Sequence, residues 1–76
     1  MDFSSVKEGD KIKYIGVSWA YGGTYTTVSA ESTYSNPDNC PRHERGRLMI
    51  VEFMNDDTPM FFTLDQLNPG EWELVN

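Results

Sequence analysis

The chain has 76 residues, with twelve acids against six bases for a formal net charge of −6, and 13% of its residues are aromatic. That length allows one domain, residues 1–76, and its single cysteine, Cys40, excludes an internal disulfide. A negative field repels phosphate backbones and anionic membranes and favours a basic partner, and no apolar run approaches the roughly 20 residues that span a bilayer.

Gly and Pro divide the chain into short pieces that read as strands. Asp2, Phe3 and Ser4 follow Met1 without the basic start and apolar run of an export signal, and a lone thiol suits a reducing compartment, so a cytoplasmic location is expected. Ser5-Val-Lys-Glu8 is a candidate for one capped helical turn. In residues 10–16, Ile12 and Tyr14 alternate with Lys11 and Lys13, the pattern of a half-buried strand. Residues 16–25 form an aromatic-rich loop in which Gly22-Gly23 can make a sharp reversal. Residues 24–31, rich in Thr, Tyr and Val, predict a second strand with Thr26, Val28 and Ala30 on one face.

Residues 34–46 are polar, and Pro37, Pro41 and Gly46 argue against a regular element there; unstructured loops of this length are often functional or disordered. Arg47–Met54 is the strongest strand pattern, with Met49, Val51 and Phe53 on one face and Leu48, Ile50 and Glu52 on the other. Asn55–Pro59 reads as a turn and Met60–Leu64 as the return strand of a hairpin. Thr63-Leu-Asp-Gln66 matches a capping box, which predicts one short 3₁₀ turn before Pro69-Gly70. Glu71–Val75 closes the chain as a fifth strand, Trp72 and Leu74 facing in and Glu71 and Glu73 out.

The strand order, with the opening Val6–Gly16 segment, the hairpin, the Leu64-Asp-Gln-Leu67 turn and the closing Trp72-Glu-Leu-Val75, resembles the SH3-like barrel and its KOW and Tudor relatives. The resemblance implies an all-β, small five-stranded barrel; its departure is the long loop 34–46. Small size, acidity and the absence of a catalytic motif also resemble accessory proteins encoded by bacteriophages.

The chemistry-bearing residue types are few. Cys40 and His43 could form an activated thiol pair, but their solvated loop implies no oxyanion donors or orienting carboxylate; with Asp38 and Glu44 they make a mixed ligand set that lacks the paired spacing of zinc sites. Asp56-Asp57 falls in a turn and Glu71 with Glu73 on an outer strand face, as solvated acids do. No phosphate-binding glycine loop or nucleophile elbow is present. The expectation is a protein-binding module that is not an enzyme and needs no cofactor or metal. Its expected contacts are Tyr14, Trp19, Tyr21, Tyr25 and Tyr34, because exposed Tyr and Trp concentrate at interfaces. Trp19 is expected to be the most exposed of them. In SH3-like domains such rings imply a groove for proline-rich peptides, and in Tudor-like ones a cage for a methylated cation. A KOW-like alternative places Arg42, Arg45 and Arg47, with Lys11 and Lys13, on nucleic acid, against the net charge. An acidic mimic of nucleic acid would use Glu52, Asp56, Asp57, Glu71 and Glu73. An exposed strand edge leaves a homodimer open.

Overall fold

The computed structural model describes residues 1–19 and 21–75; Ala20, in the expected loop 16–25, and Asn76 lie outside them. The strands are β1 (Lys11–Tyr14), β2 (Thr24–Thr26), β3 (Val28–Ser29), β4 (Leu48–Phe53), β5 (Pro59–Thr63) and β6 (Trp72–Val75). They form two three-stranded antiparallel sheets, β2-β1-β6 and β3-β4-β5. The all-β class is as expected.

The expected five strands are six, and no closed barrel of strand ladders forms among the described residues, because the second strand breaks at Thr27. Thr27 is 1% exposed. Its N–H donates to Asp10 O at 2.8 Å, its carbonyl accepts from Gly9 N at 2.9 Å, and its hydroxyl lies 2.7 Å from Lys7 O and 2.9 Å from Asp10 O. The 7–10 turn thus takes the backbone groups that a ladder partner would otherwise hold, and the chain passes there from one sheet to the other. The break also disposes of the expected face: Thr26 is exposed, Thr27 buried and Val28 half-buried.

Among the described residues five 3₁₀ turns replace the one expected: Phe3–Ser5, Ala30–Thr33, Pro37–Asn39, Leu64–Gln66 and Pro69–Glu71. The first lies ahead of the expected Ser5–Glu8 turn: Asp2 caps it, its carboxylate accepting from Ser4 N at 2.9 Å, and the Ser5 hydroxyl donates back to Asp2 O at 3.0 Å. The capping box at Thr63 is present, with Thr63 N–H donating to Gln66 Oε1 at 2.9 Å.

Loop 34–46 is more structured than its composition suggested. Asn36 caps the Pro37–Asn39 turn, with Pro at the start where its missing N–H costs nothing. Ala30 and Cys40 are buried at 0% and 2% exposure, and Arg45 holds the chain from within, Nε donating to Cys40 O and Nη2 to Asp38 O, both at 3.1 Å.

The core lies between the sheets: Val6, Ile12, Ile50, Leu64, Leu67 and Trp72, with Tyr14, Tyr21, Tyr25, Leu48 and Phe62 packed against it. Ile12 is fully buried and Lys11 and Lys13 exposed, as the alternation in β1 predicted. In β4 the inward face is Leu48 and Ile50, leaving Phe53 62% exposed on the other. Leu74, expected inside, is 39% exposed because β6 is an edge strand. Glu71, expected outside on a strand, ends a 3₁₀ turn and is half-buried.

Candidate functional site

An aromatic cluster joins the two sheets. Tyr14 and Tyr21 each pack against Trp72 at 5.2 Å between ring centroids, Tyr25 packs against it at 5.7 Å, and Tyr21 meets Phe62 edge-on at 5.7 Å. Such tilted and edge-to-face pairs add to the burial of the rings. Three of the five expected contact rings therefore have faces engaged in packing. The phenol groups of Tyr14 and Tyr25 are engaged too. Tyr14 donates to Glu71 Oε2 at 2.8 Å and accepts from Ser18 N at 2.7 Å. Tyr25 donates to Glu52 Oε2 and accepts from Gly22 N. Burial, then the bond to Glu52, pushes the Tyr25 phenol up to about 12; burial, then Glu71, raises that of Tyr14.

These bonds shape the loop between β1 and β2. Gly23 takes φ 89°, open to glycine with little penalty, and its carbonyl accepts from Tyr14 N at 3.0 Å. With the loop tied by Tyr14 and Tyr25 at its ends, its apolar residues are left outside: Ile15 is 50%, Val17 102% and Trp19 97% exposed. Trp19 is thus the exposed ring that the sequence indicated.

Trp19 stands on the rim of a groove of about 410 Å³ whose other walls come from the β4–β5 hairpin. Glu52, Phe53 and Met54 contribute from β4 and its end, and Met60 and Phe62 from β5. Phe53, Met54 and Met60 are 62%, 51% and 40% exposed. Glu52 is the one ionisable side chain among the described residues lining the groove, and Tyr25 fixes its position from below. Sequence reasoning missed these hairpin residues, although the apolar run of β4 continuing through Met54 into a polar turn was a signal of exposed apolar surface.

Tyr34 lies apart from this cluster. Its hydroxyl donates to Glu44 Oε2 at 2.8 Å, within the 30–47 excursion, and that bond raises its phenol pKa first, burial second. The arginines are mostly occupied: Arg45 on the carbonyls of Asp38 and Cys40, and Arg47 opposite Asp65 at 3.5 Å. Lys13 is paired in register with Glu73 across β1 and β6. The acids proposed for mimicry are dispersed in local roles: Glu52 with Tyr25, Glu71 with Tyr14 and Asn68, Asp56 accepting from Thr58 N.

Cys40 is buried, and burial, then Glu31 and Glu44, raises its thiol pKa, which disfavours a reactive thiolate. His43 has a side chain 77% exposed, 3.9 Å from Glu44, and no hydrogen bond joins it to Cys40. Among the described residues no group of three or more His, Cys, Asp or Glu could hold a metal ion, and no helix is long and apolar enough to cross a membrane. A shallow depression of about 470 Å³ near Met1, Phe3, Leu48 and Leu64 also holds Arg47 and Asp65, paired to each other, and Asp2, which accepts from Ser4 N. Comparison with known families, with characterised proteins and with solved structures gives no match to this chain.

Proposed function

We propose that the chain is a non-enzymatic protein-binding module of the SH3-like class, and that its contact surface is the groove between the Trp19 loop and the β4–β5 hairpin. The connectivity supports the class: the short strands β2 and β3, separated at Thr27, serve the two sheets in turn, a hairpin follows, and 3₁₀ turns lead into a last strand beside the first. The observation that carries the function is the exposure of Trp19. At 97% exposure the indole contributes nothing to the core, while the rings packed on Trp72 hold its loop in place. Large apolar rings left in solvent beside exposed Met and Phe are the composition of interface centres.

The partner is a protein rather than nucleic acid. The molecule is acidic, two of the three candidate arginines are exposed but have partners on this chain, and electrostatic attraction dominates nucleic-acid binding. A role as a phage or bacterial accessory protein acting on a host protein in the cytoplasm accords with this surface. The test is a photo-reactive side chain placed at Val17, which is fully exposed, in otherwise unchanged protein and in Trp19→Ala. A discrete cross-linked protein lost in Trp19→Ala is the expected result. Cross-linking unaffected by Trp19→Ala, or efficient cross-linking to nucleic acid, refutes the proposal.

A further inference from the structure

We infer that the outer face of the β3-β4-β5 sheet docks onto the same face of a second copy of this chain, forming a weak two-fold dimer. This surface is separate from the contact at Trp19 and stands whether or not that contact binds a partner. Cross-strand partners in a sheet share a side, and successive residues of a strand take opposite sides. Leu48, Ile50 and Phe62 turn into the core. The alternate residues therefore turn out: Met49, Val51 and Phe53 from β4, Pro59 and Phe61 from β5, and Val28 from β3, in register with Met49. None of these is charged, although charged residues make up 24% of the chain. Phe53 and Phe61 are 62% and 43% exposed, and Val28, Met49 and Val51 are half-buried. A sheet that is apolar on both faces is covered on both in stable folds. Here the β2-β1-β6 sheet covers the inner face, through Ile12 and Trp72.

Charge and area select a second copy as the cover. Molecules of charge −6 repel one another over most of their surface, so a copy can approach only through a face that carries no acid. A basic partner finds nothing on this face to pair with. Three strands about 4.8 Å apart, the longest of six residues rising about 3.3 Å each, make a face of roughly 14 by 20 Å. With two phenylalanine rings standing on it, a pair of such faces buries about 800–1,000 Å², the lower limit of specific interfaces. That area suits a reversible dimer. Its two-fold axis would pass near Val51, in the middle strand, and each Phe61 ring would lie against the Met49–Val51 strip of the other copy.

Pairing along the β5 edge is the other route to a dimer, and the backbone closes most of it. Met54 N–H donates to Thr58 O at 3.0 Å. The ladder alternates from there, so Met60 and Phe62 bond to β4, while Pro59, Phe61 and Thr63 turn their backbone groups outward. Pro59 has no N–H, and that of Thr63 donates to Gln66 Oε1 at 2.9 Å. Within β5 only Phe61 is left to donate to a neighbouring strand, which leaves the face as the route.

Sedimentation equilibrium from about 1 μM to about 1 mM tests this. It compares the unaltered chain with Val51→Glu, Phe61→Glu and, on the loop at the Trp19 contact, Val17→Glu, each shown to be folded by its thermal melt. The unaltered chain should dimerise with a Kd of about 10–100 μM. Dimerisation should tighten with added salt, which screens the like charges of the two copies. Val51→Glu and Phe61→Glu should each weaken it at least about a hundredfold, because each sets two like charges in the covered face; Val17→Glu should not. A chain still monomeric at about 1 mM, or assembly beyond a dimer, overturns the inference. So does association that either face variant leaves intact, that Val17→Glu abolishes, or that salt weakens. Should a face variant not fold, the other decides. Should neither fold, dilution of the unaltered chain decides: amide signals of Met49, Val51 and Phe61 must move with concentration, and movement confined to other residues overturns the inference.

Discussion

Tyr25→Phe removes one oxygen from the centre of the site and leaves the ring that packs on Trp72 in place. The hydroxyl makes two bonds, donating to Glu52 and accepting from Gly22 N. Gly22 is exposed and water can replace its acceptor, so the larger loss is at half-buried Glu52. A hydrogen bond to a charged group contributes about 1.5–3 kcal/mol when buried, and partial rehydration of Glu52 reduces this to about 1–2 kcal/mol. For a domain of this size that lowers Tm by about 5–15 °C.

The same substitution changes the alkaline limb. The phenol is raised from its ordinary value near 10 to about 12, by burial first and Glu52 second. A raised phenol means that folding favours the neutral form. Its contribution is complete below pH ~10 and is lost as pH rises through about 12. Thermal melts by circular dichroism between pH 7 and pH 12 should therefore show a descent above pH ~10 that is shallower in Tyr25→Phe. Tyr14 and Tyr34, raised in the same direction, leave a residual slope. A variant melting within about 1 °C of the parent at pH 7, with an unchanged alkaline descent, refutes the Tyr25–Glu52 bond as a structural element.

The two tryptophans should respond in opposite ways: Trp72→Ala, at 2% exposure, costs about 3–5 kcal/mol and abolishes the cooperative melt, whereas Trp19→Ala stays within about 0.5 kcal/mol of the parent in urea. Thr27→Val keeps the shape of the buried residue but removes its hydroxyl from the carbonyls of Lys7 and Asp10; chemical denaturation should show a loss of about 1–2 kcal/mol, and Thr27→Ser should restore most of it. Gly16→Ala puts a Cβ into the space of the Tyr14 hydroxyl and the Glu71 carboxylate; separating that pair should cost about 1–3 kcal/mol, read as a lower Tm.

The strands that sequence reasoning located best were those whose charges and apolar residues alternate, as Lys11 and Lys13 do with Ile12 and Tyr14. Alternation is a local signal, and a half-buried sheet enforces it locally. The break at Thr27 had no such signal, because the residues that cause it, Lys7 and Asp10, act on it from a distant turn. Loop 34–46 was read by composition, which describes solvent exposure well and ordering poorly. The arginine that orders it works through backbone carbonyls, to which sequence patterns are blind. In the site, Trp19 was legible because its immediate surroundings offer it nothing to pack on. Glu52 was legible only as an acid. Its place in a groove depends on Tyr25 reaching it from the other sheet, a relation that no spacing encodes.

Because a single residue, Thr27, hands the chain from one sheet to the next and is fastened to the 7–10 turn on both its backbone and its side chain, neither half of the molecule has a separate way to open. Slow amide protons of Ile12 and Ile50, in different sheets, should then exchange with solvent through one shared event, with equal free energies that fall together when Thr27 is altered. A small chain with no cross-link gains in this way a cooperativity that its two short sheets, taken singly, would lack.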